Sequence, residues 1–202
     1  MKKKPFRTAI AGLLMLALLF TAPALGEGGD IPPAKGDEPA AIRVMLTRLA
    51  APERLDITLN WLYSAQLGET ELVFGRGADI AMLLIDGRMY LYYADMRIAA
   101  GTALTLARHP AEDGLENGLR FANNAAVYEG DLRLTVAEGK MRPLLTIAIE
   151  DYVKGVVPYE MSESFPLEAL KAQAVAARTY AVSMAELRKG KDILIVPELG
   201  DI

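Results

Sequence analysis

Residues 150 to 181 read EDYVKGVVPYEMSESFPLEALKAQAVAARTYA, a stretch dense in side chains that could do chemistry or hold a ligand. It carries the carboxylates Glu160, Glu163 and Glu168, the tyrosines Tyr152, Tyr159 and Tyr180, and the polar groups Lys171, Gln173 and Arg178. Other chemistries are excluded by the residues missing elsewhere. There is no glycine-rich phosphate loop, no HExxH and no GxSxG. The chain has no cysteine, so neither a thiolate metal site nor a disulfide framework can form. His109 is the one histidine; it precedes Pro110 in a polar stretch and is expected to be a solvated loop residue, which argues against a Ser-His-Asp mechanism. Within the segment, Lys171 and Arg178 are seven apart and so share one helix face, where they either hold a ligand or anchor Glu160 and Glu168. Structural anchoring is the ordinary role of polar residues in a packed helix, for Gln173 and Tyr180 as well. Glu168 suits a helix N-terminus, and Tyr152 and Tyr159 suit either stacking on a ligand or packing.

The elements that must position these groups change character near Glu150. From Ile42 to Ile149 the dominant period is two. Ile42, Val44 and Leu46 alternate with polar or larger neighbours, as do Leu55, Ile57 and Leu59, then Leu132, Leu134 and Val136, then Leu145, Ile147 and Ile149. Asp86-Gly87 between the apolar runs Ile80–Ile85 and Met89–Tyr93 predicts a tight hairpin. Glu138-Gly139-Lys140 predicts a second turn, and the Gly-rich, polar stretch 108–124 an irregular loop. A short helix is expected over 150–157, with Pro158 either interrupting it or starting a new turn. A longer one should start with Pro166 at its first position and end near Arg188 and Lys189, with Gly190 as its cap. Its stripe of Leu167, Leu170, Ala174, Ala177, Ala181 and Met184, and the six alanines between 169 and 181, predict close packing against neighbours. The expected class is α+β, with an antiparallel strand-rich part over 41–149 followed by a helical segment over 150–190.

The N-terminus points to export. Lys2, Lys3, Lys4 and Arg7 precede an apolar run from Thr8 to Phe20, then small residues around Ala24 and Gly26. Residues 1–26 are read as a signal peptide or an uncleaved signal anchor, and the Gly-, Pro- and charge-rich 27–40 as a linker. Apolar residues make up 52% and charged residues 24%, a balance that buries a core. Residues 1–26 hold four of the 22 Lys and Arg and none of the 26 Asp and Glu, so the remainder has a net charge of −8. That balance argues against nucleic acid or an anionic membrane surface as a partner, leaving the membrane only to the N-terminal segment.

The runs DYVKGVVPYEM and PLEALKAQAVAARTYA strongly resemble the signature of the stage II sporulation protein D (SpoIID/LytB) family, and Ile42-Arg43-Val44 and Tyr128-Glu129-Gly130 resemble its weaker upstream features. The resemblance spans roughly 41–187. It implies a lytic transglycosylase acting on peptidoglycan glycan strands whose peptides have been removed, with Glu160 as the catalytic acid, and it needs no cofactor or metal. One glutamate suffices for that reaction if burial among apolar groups raises its pKa from about 4.3. Val156, Val157, Pro158, Met161 and Phe165 are the neighbours that would supply such surroundings. Lys171, Gln173, Arg178 and Tyr159 are the implied substrate contacts, and other wall hydrolases or sporulation proteins the implied partners. The family's domain continues well past the alanine-rich helix, and Asp192–Ile202 does not resemble that continuation, so a domain short at this side is expected. The same resemblance leaves open a non-catalytic wall-binding protein, an amidase enhancer or an inactive truncated relative.

Overall fold

The computed structural model describes residues 41–49, 53–111, 117–122, 124 and 126–187, all within the second of two units, Asp37–Ile202. The export segment, the linker and the helix end expected at 188–190 lie outside the described residues. Among the described residues eleven strands, and a short 3-10 helix at Thr47–Leu49, precede two α-helices: β1 Ala41–Met45, β2 Arg54–Leu59, β3 Tyr63–Leu67, β4 Thr70–Phe74, β5 Ala78–Ile85, β6 Arg88–Tyr93, β7 Met96–Gly101, β8 Ala103–Arg108, β9 Leu119–Phe121, β10 Asp131–Ala137, β11 Lys140–Ala148, α1 Ile149–Glu160 and α2 Leu167–Leu187. The class is α+β, as the change of period predicts.

The strands form two antiparallel sheets, ordered β1-β11-β10-β8-β3-β4 and β7-β6-β5-β2-β9. Alternation sends one side chain in two inward. In β11, Met141, Pro143, Leu145 and Ile147 are buried, while Arg142, Leu144 and Thr146 are only partly so. Inward residues of both sheets, among them Ile57, Met82 and Leu91 from one and Leu106, Leu132 and Leu145 from the other, belong to a single core. Phe74 and Tyr93 meet across the sheets edge-to-face at 5.1 Å. The expected hairpin forms with Ile85 opposite Arg88 and positive φ at Asp86 and Gly87, the mirror-image turn that matches strand twist. The turn at Glu138-Gly139 has the same signs of φ and pairs Ala137 with Lys140.

The loop expected over 108–124 needs correction. Leu119–Phe121 is a strand, pairing with Leu59–Ile57 of β2 and burying Leu119 and Phe121. Three residues are too short to display a period of two against polar flanks. Pro158 also fails to end α1. The Met161 N–H donates to the Val157 carbonyl at 3.0 Å, so the last turn closes around the proline. Proline removes the helical donor of the Lys154 carbonyl, and Lys154 is at the surface, where a carbonyl is open to solvent.

Tyr63 is fully buried and its hydroxyl donates to the Gly130 carbonyl at 3.1 Å. Burial pushes its pKa well above the usual tyrosine range, and Asp131 and Glu129 add to this against the opposing effects of Arg108 and the Gly130 hydrogen bond. A raised folded-state pKa means that the associated stability is intact below the unfolded value of about 10 and is lost as pH climbs toward the folded value. Tyr63→Phe is therefore expected to cost about 1 kcal/mol at neutral pH and to flatten the alkaline fall in stability; urea titrations at neutral pH and above pH 10 check both.

Candidate functional site

The β11 strand runs into α1 without a loop, so the sheet fixes the direction of the helix. Glu150 and Asp151 occupy the first turn of α1, where negative charge opposes the helix dipole. Ile149, Tyr152 and Val153 are buried. Val156 and Glu160 follow on the same stripe at helical spacing, so Glu160 sits at the far end of the packed face of α1 and is partly buried. Its carboxylate makes no hydrogen bond or ion pair among the described residues. The apolar enclosure expected around it is only partial: Val156, Val157 and Met161 are half-buried, but Pro158 and Phe165 are exposed.

A turn at Ser162–Phe165, in which the Phe165 N–H donates to the Ser162 carbonyl at 3.1 Å, reverses the chain into α2. The Pro166 carbonyl accepts from Ala169 and Leu170, placing Pro166 just before the helix instead of within its first turn. The two helices lie antiparallel. Arg178, well along α2, grips Glu150 at the start of α1 with three contacts of 2.6 to 3.1 Å. Both side chains are partly exposed, so removing the pair by Arg178→Gln is expected to cost about 0.5–1 kcal/mol; a double-mutant cycle with Glu150→Gln in thermal unfolding reads the coupling directly.

The residues singled out in the sequence fall in different places, and Glu163 is exposed in the turn between the helices. Arg178 anchors Glu150, not Glu160 or Glu168. Lys171 is exposed and pairs with Glu168 at 2.8 Å. Gln173 is half-buried, and Tyr159, next to Glu160, is 50% exposed. Tyr152 is buried at 4% exposure; burial raises its pKa, and the fields of Tyr180 and Glu160 add to the effect, which places these three groups within electrostatic reach of one another. The predicted packing of α2 holds along one edge only. Ala177 and Ala181 are buried, Ala174 and Met184 pack against the core, and Leu167 is 64% exposed. Tyr159, Phe165, Leu167, Val175, Tyr180 and Leu187 leave the hairpin with a large exposed apolar and aromatic surface.

The Tyr128-Glu129-Gly130 element is chiefly structural. Tyr128 is buried, meets Phe121 edge-to-face at 5.3 Å and accepts a hydrogen bond from Asn124 at 2.6 Å. Glu129, which the sequence marks only by its place between these residues, points elsewhere. It lines a pocket of about 190 Å³ with Asp151, Lys154 and Gly155 of α1, and its carboxylate lies 3.7 Å from Arg108. Asp151 and Lys154 pair within this pocket at 3.0 Å. On α1, Asp151 and Glu160 are nine residues apart, hence on opposite faces, so this pocket and the Glu160 end of the hairpin are separate places.

The fold and this geometry define a two-sheet α+β domain with a helical hairpin in which Glu160 has no hydrogen-bond or ion-pair partner among the described residues. The profile of the stage II sporulation protein (SpoIID) family matches residues 137–196, which cover β11, α1 and α2. The chain is 34% identical over 141 residues to an uncharacterized protein of Brachyspira hyodysenteriae, a match covering 70% of this chain and 35% of that protein. It is 58% identical over 38 residues to the stage II sporulation protein D of Bacillus subtilis, which is 19% of this chain and 11% of that one. It is 64% identical over 31 residues to the amidase enhancer of Bacillus subtilis, covering 15% and 4%. No solved structure matches. The chain is a member of the SpoIID family, and its matches span about a third or less of the length of these curated relatives.

Proposed function

We propose that this protein works outside the cytoplasm on peptidoglycan and cuts its glycan strands as a lytic transglycosylase, with Glu160 as the single acid and base. The observation that carries this reading is the position of Glu160. It ends the packed stripe of α1, with no partner to neutralise it among the described residues, next in sequence to the exposed Tyr159 and five residues before the exposed Phe165. Exposed aromatic faces suit sugar rings, and an open site suits a long polymer better than a small molecule. The carboxylic acid gives its proton to the glycosidic oxygen as the bond to the anomeric carbon breaks. The resulting carboxylate then takes the proton of the muramic C6 hydroxyl, whose oxygen closes on the anomeric carbon. The proton is back on Glu160, the product ends in a 1,6-anhydro ring, and no water is consumed. Lys171, Gln173, Arg178 and Tyr159 are proposed substrate contacts; Lys171 and Arg178 reach ligand only by sharing or exchanging their glutamates. The charged and apolar N-terminus supports export, either freed by cleavage or held as an anchor.

Digestion of peptide-free glycan strands by the chain, read by mass spectrometry for 1,6-anhydro ends, tests the reading. A second reading is favoured by the exposed Leu167, Val175 and Leu187, more apolar surface than a glycan requires. It is a wall-bound protein that contacts another hydrolase, in keeping with the name of the amidase enhancer it resembles. Strands that are bound but left uncut, together with faster peptide release by an added amidase, would select it.

A further inference from the structure

The outer face of the second sheet holds a depression of about 610 Å³, a size usual for ligand pockets. The pleat decides what lines it. Asp56 of β2 stands opposite Ala81 of β5, Ala81 opposite Tyr92 of β6, and Tyr92 opposite Arg97 of β7, so the four form one outward row across the sheet. Their strand neighbours Leu55, Ile57, Ile80, Met82 and Leu91 turn inward and are buried. Ala81 is the smallest side chain of the row. It leaves a trough between Asp56 and Tyr92, whose backbones lie two strand spacings, about 10 Å, apart. Thr58 and Asp79 continue the polar wall, the Thr58 hydroxyl donating to the Asp79 carboxylate at 2.6 Å. The other end is closed by the turn through Ala94 and Asp95 and by Met96, which is 47% exposed. Both turn residues have positive φ, 46° and 65°, without the glycine that takes the second place in the turns at Asp86-Gly87 and Glu138-Gly139. That arrangement costs about 1–2 kcal/mol and sets a carboxylate at the rim.

The charges of this lining nearly cancel. Arg54 and Arg97 stand against Asp56, Asp79 and Asp95. Arg54 is already bound to Asp56 by three contacts of 2.7 to 3.0 Å, and Arg97 lies over the Tyr90 ring at 4.0 Å. So balanced a lining gives a charged ligand little net attraction. Its carboxylates and hydroxyl keep spare lone pairs, which suit a ligand rich in hydroxyls. Tyr92, Ala81 and Met96 supply apolar contact beside them. A ligand that is uncharged, rich in hydroxyls and apolar on one ring face is a sugar. We propose that this trough binds uncharged acetamido sugars, with the ring over Ala81 against Tyr92, its hydroxyls on Asp56, Thr58 and Asp79, and its acetamido group toward Arg97 and Met96. In a wall strand that sugar is N-acetylglucosamine, the residue without a lactyl carboxylate; this identity rests on the glycan reading above. The trough is separate from Glu160, because α1 continues β11 of the first sheet whereas the trough lies on the outward side of the second. It holds the strand and takes no part in the cut.

The test is titration of the full chain with chitotetraose, a linear run of N-acetylglucosamine, followed by backbone NMR and calorimetry. Chitotetraose has no muramic residue, so binding is read apart from cutting. Shifts in the parent should gather at Asp56, Thr58, Asp79, Ala81 and Tyr92. Ala81→Leu fills the trough without removing a polar contact and should weaken binding about tenfold. Tyr92→Ala should weaken it about fivefold, the loss of one ring contact. Thermal melts establish that each variant is folded. Cellotetraose, with hydroxyls in place of the acetamido groups, should bind the parent about fivefold more weakly than chitotetraose. No binding of chitotetraose overturns the proposal, and so do shifts confined to the helical hairpin or equal binding of cellotetraose, all read on the parent alone. Parental affinity in a folded Ala81→Leu variant overturns it as well. Cutting is scored separately: binding at the trough without 1,6-anhydro products from wall strands leaves this site standing and removes the transglycosylase, and cutting by a chain that does not bind chitotetraose does the reverse.

Discussion

Glu160→Gln is expected to lower the rate of 1,6-anhydro product formation by about a hundredfold to ten-thousandfold, the range that one positioned general acid contributes. The amide keeps the shape of the side chain but can neither deliver a proton to the leaving oxygen nor take one from the C6 hydroxyl, so both halves of the reaction fail together. Folding should scarcely change. The side chain is only partly buried, and its carboxylate makes no hydrogen bond or ion pair among the described residues, so the thermal midpoint should correspond to a change within about 0.5 kcal/mol. Binding of the strand should persist as well. Rates from product quantification, paired with a melt and a binding isotherm on the same preparation, separate lost chemistry from lost structure. A folded variant that cuts at the parental rate would remove Glu160 from its role.

Gly130→Ala should have the largest effect on stability. A β-carbon at Gly130 would lie 2.2 Å from the Thr146 carbonyl oxygen and 3.0 Å from its carbon, both backbone atoms of β11, which is held between β1 and β10. Neither can move without opening the β10–β11 ladder that leads into α1. The same residue's carbonyl receives the buried Tyr63 hydroxyl. We expect a loss of about 3 kcal/mol or more, seen as a lowered urea midpoint at unchanged slope. Gly87→Ala is the control. Space is free there, but φ is +74°, so the cost should be about 1 kcal/mol from backbone strain alone. Similar losses at the two sites would contradict a steric origin for the effect at Gly130.

That contrast also shows what the amino-acid sequence reveals. Asp86-Gly87 announces its turn because the signal is local: positive φ at two adjacent residues. Gly130 is recognisable only as part of a resembling element, because its reason is Thr146, sixteen residues away across a strand pair. The change from a period of two to helical spacing at Glu150 gives the α+β class and the start of the hairpin. It misses β9, whose three residues draw stability from pairing with β2, and it stops α1 at Pro158, although the turn there closes through Met161 and Val157. In the hairpin, Glu160 is singled out by its surrounding motif, and its place follows from the Ile149, Val153, Val156 stripe. Arg178 could be assigned to a helix face but not to Glu150, because that pairing depends on how tightly the chain reverses between the helices. Glu129 is invisible to local pattern for the same reason: its pocket is completed by Asp151, Lys154 and Gly155 of α1, which meet it only in the folded chain.

The most direct measurement is one digestion of peptide-free glycan strands by the full chain in heavy-oxygen water, with the new ends weighed by mass spectrometry. Closure by the C6 hydroxyl predicts 1,6-anhydro ends carrying no heavy oxygen. Reducing ends that have taken up the label would make this a hydrolase requiring a second carboxylate, and strands left uncut would leave a protein that holds the wall without cutting it.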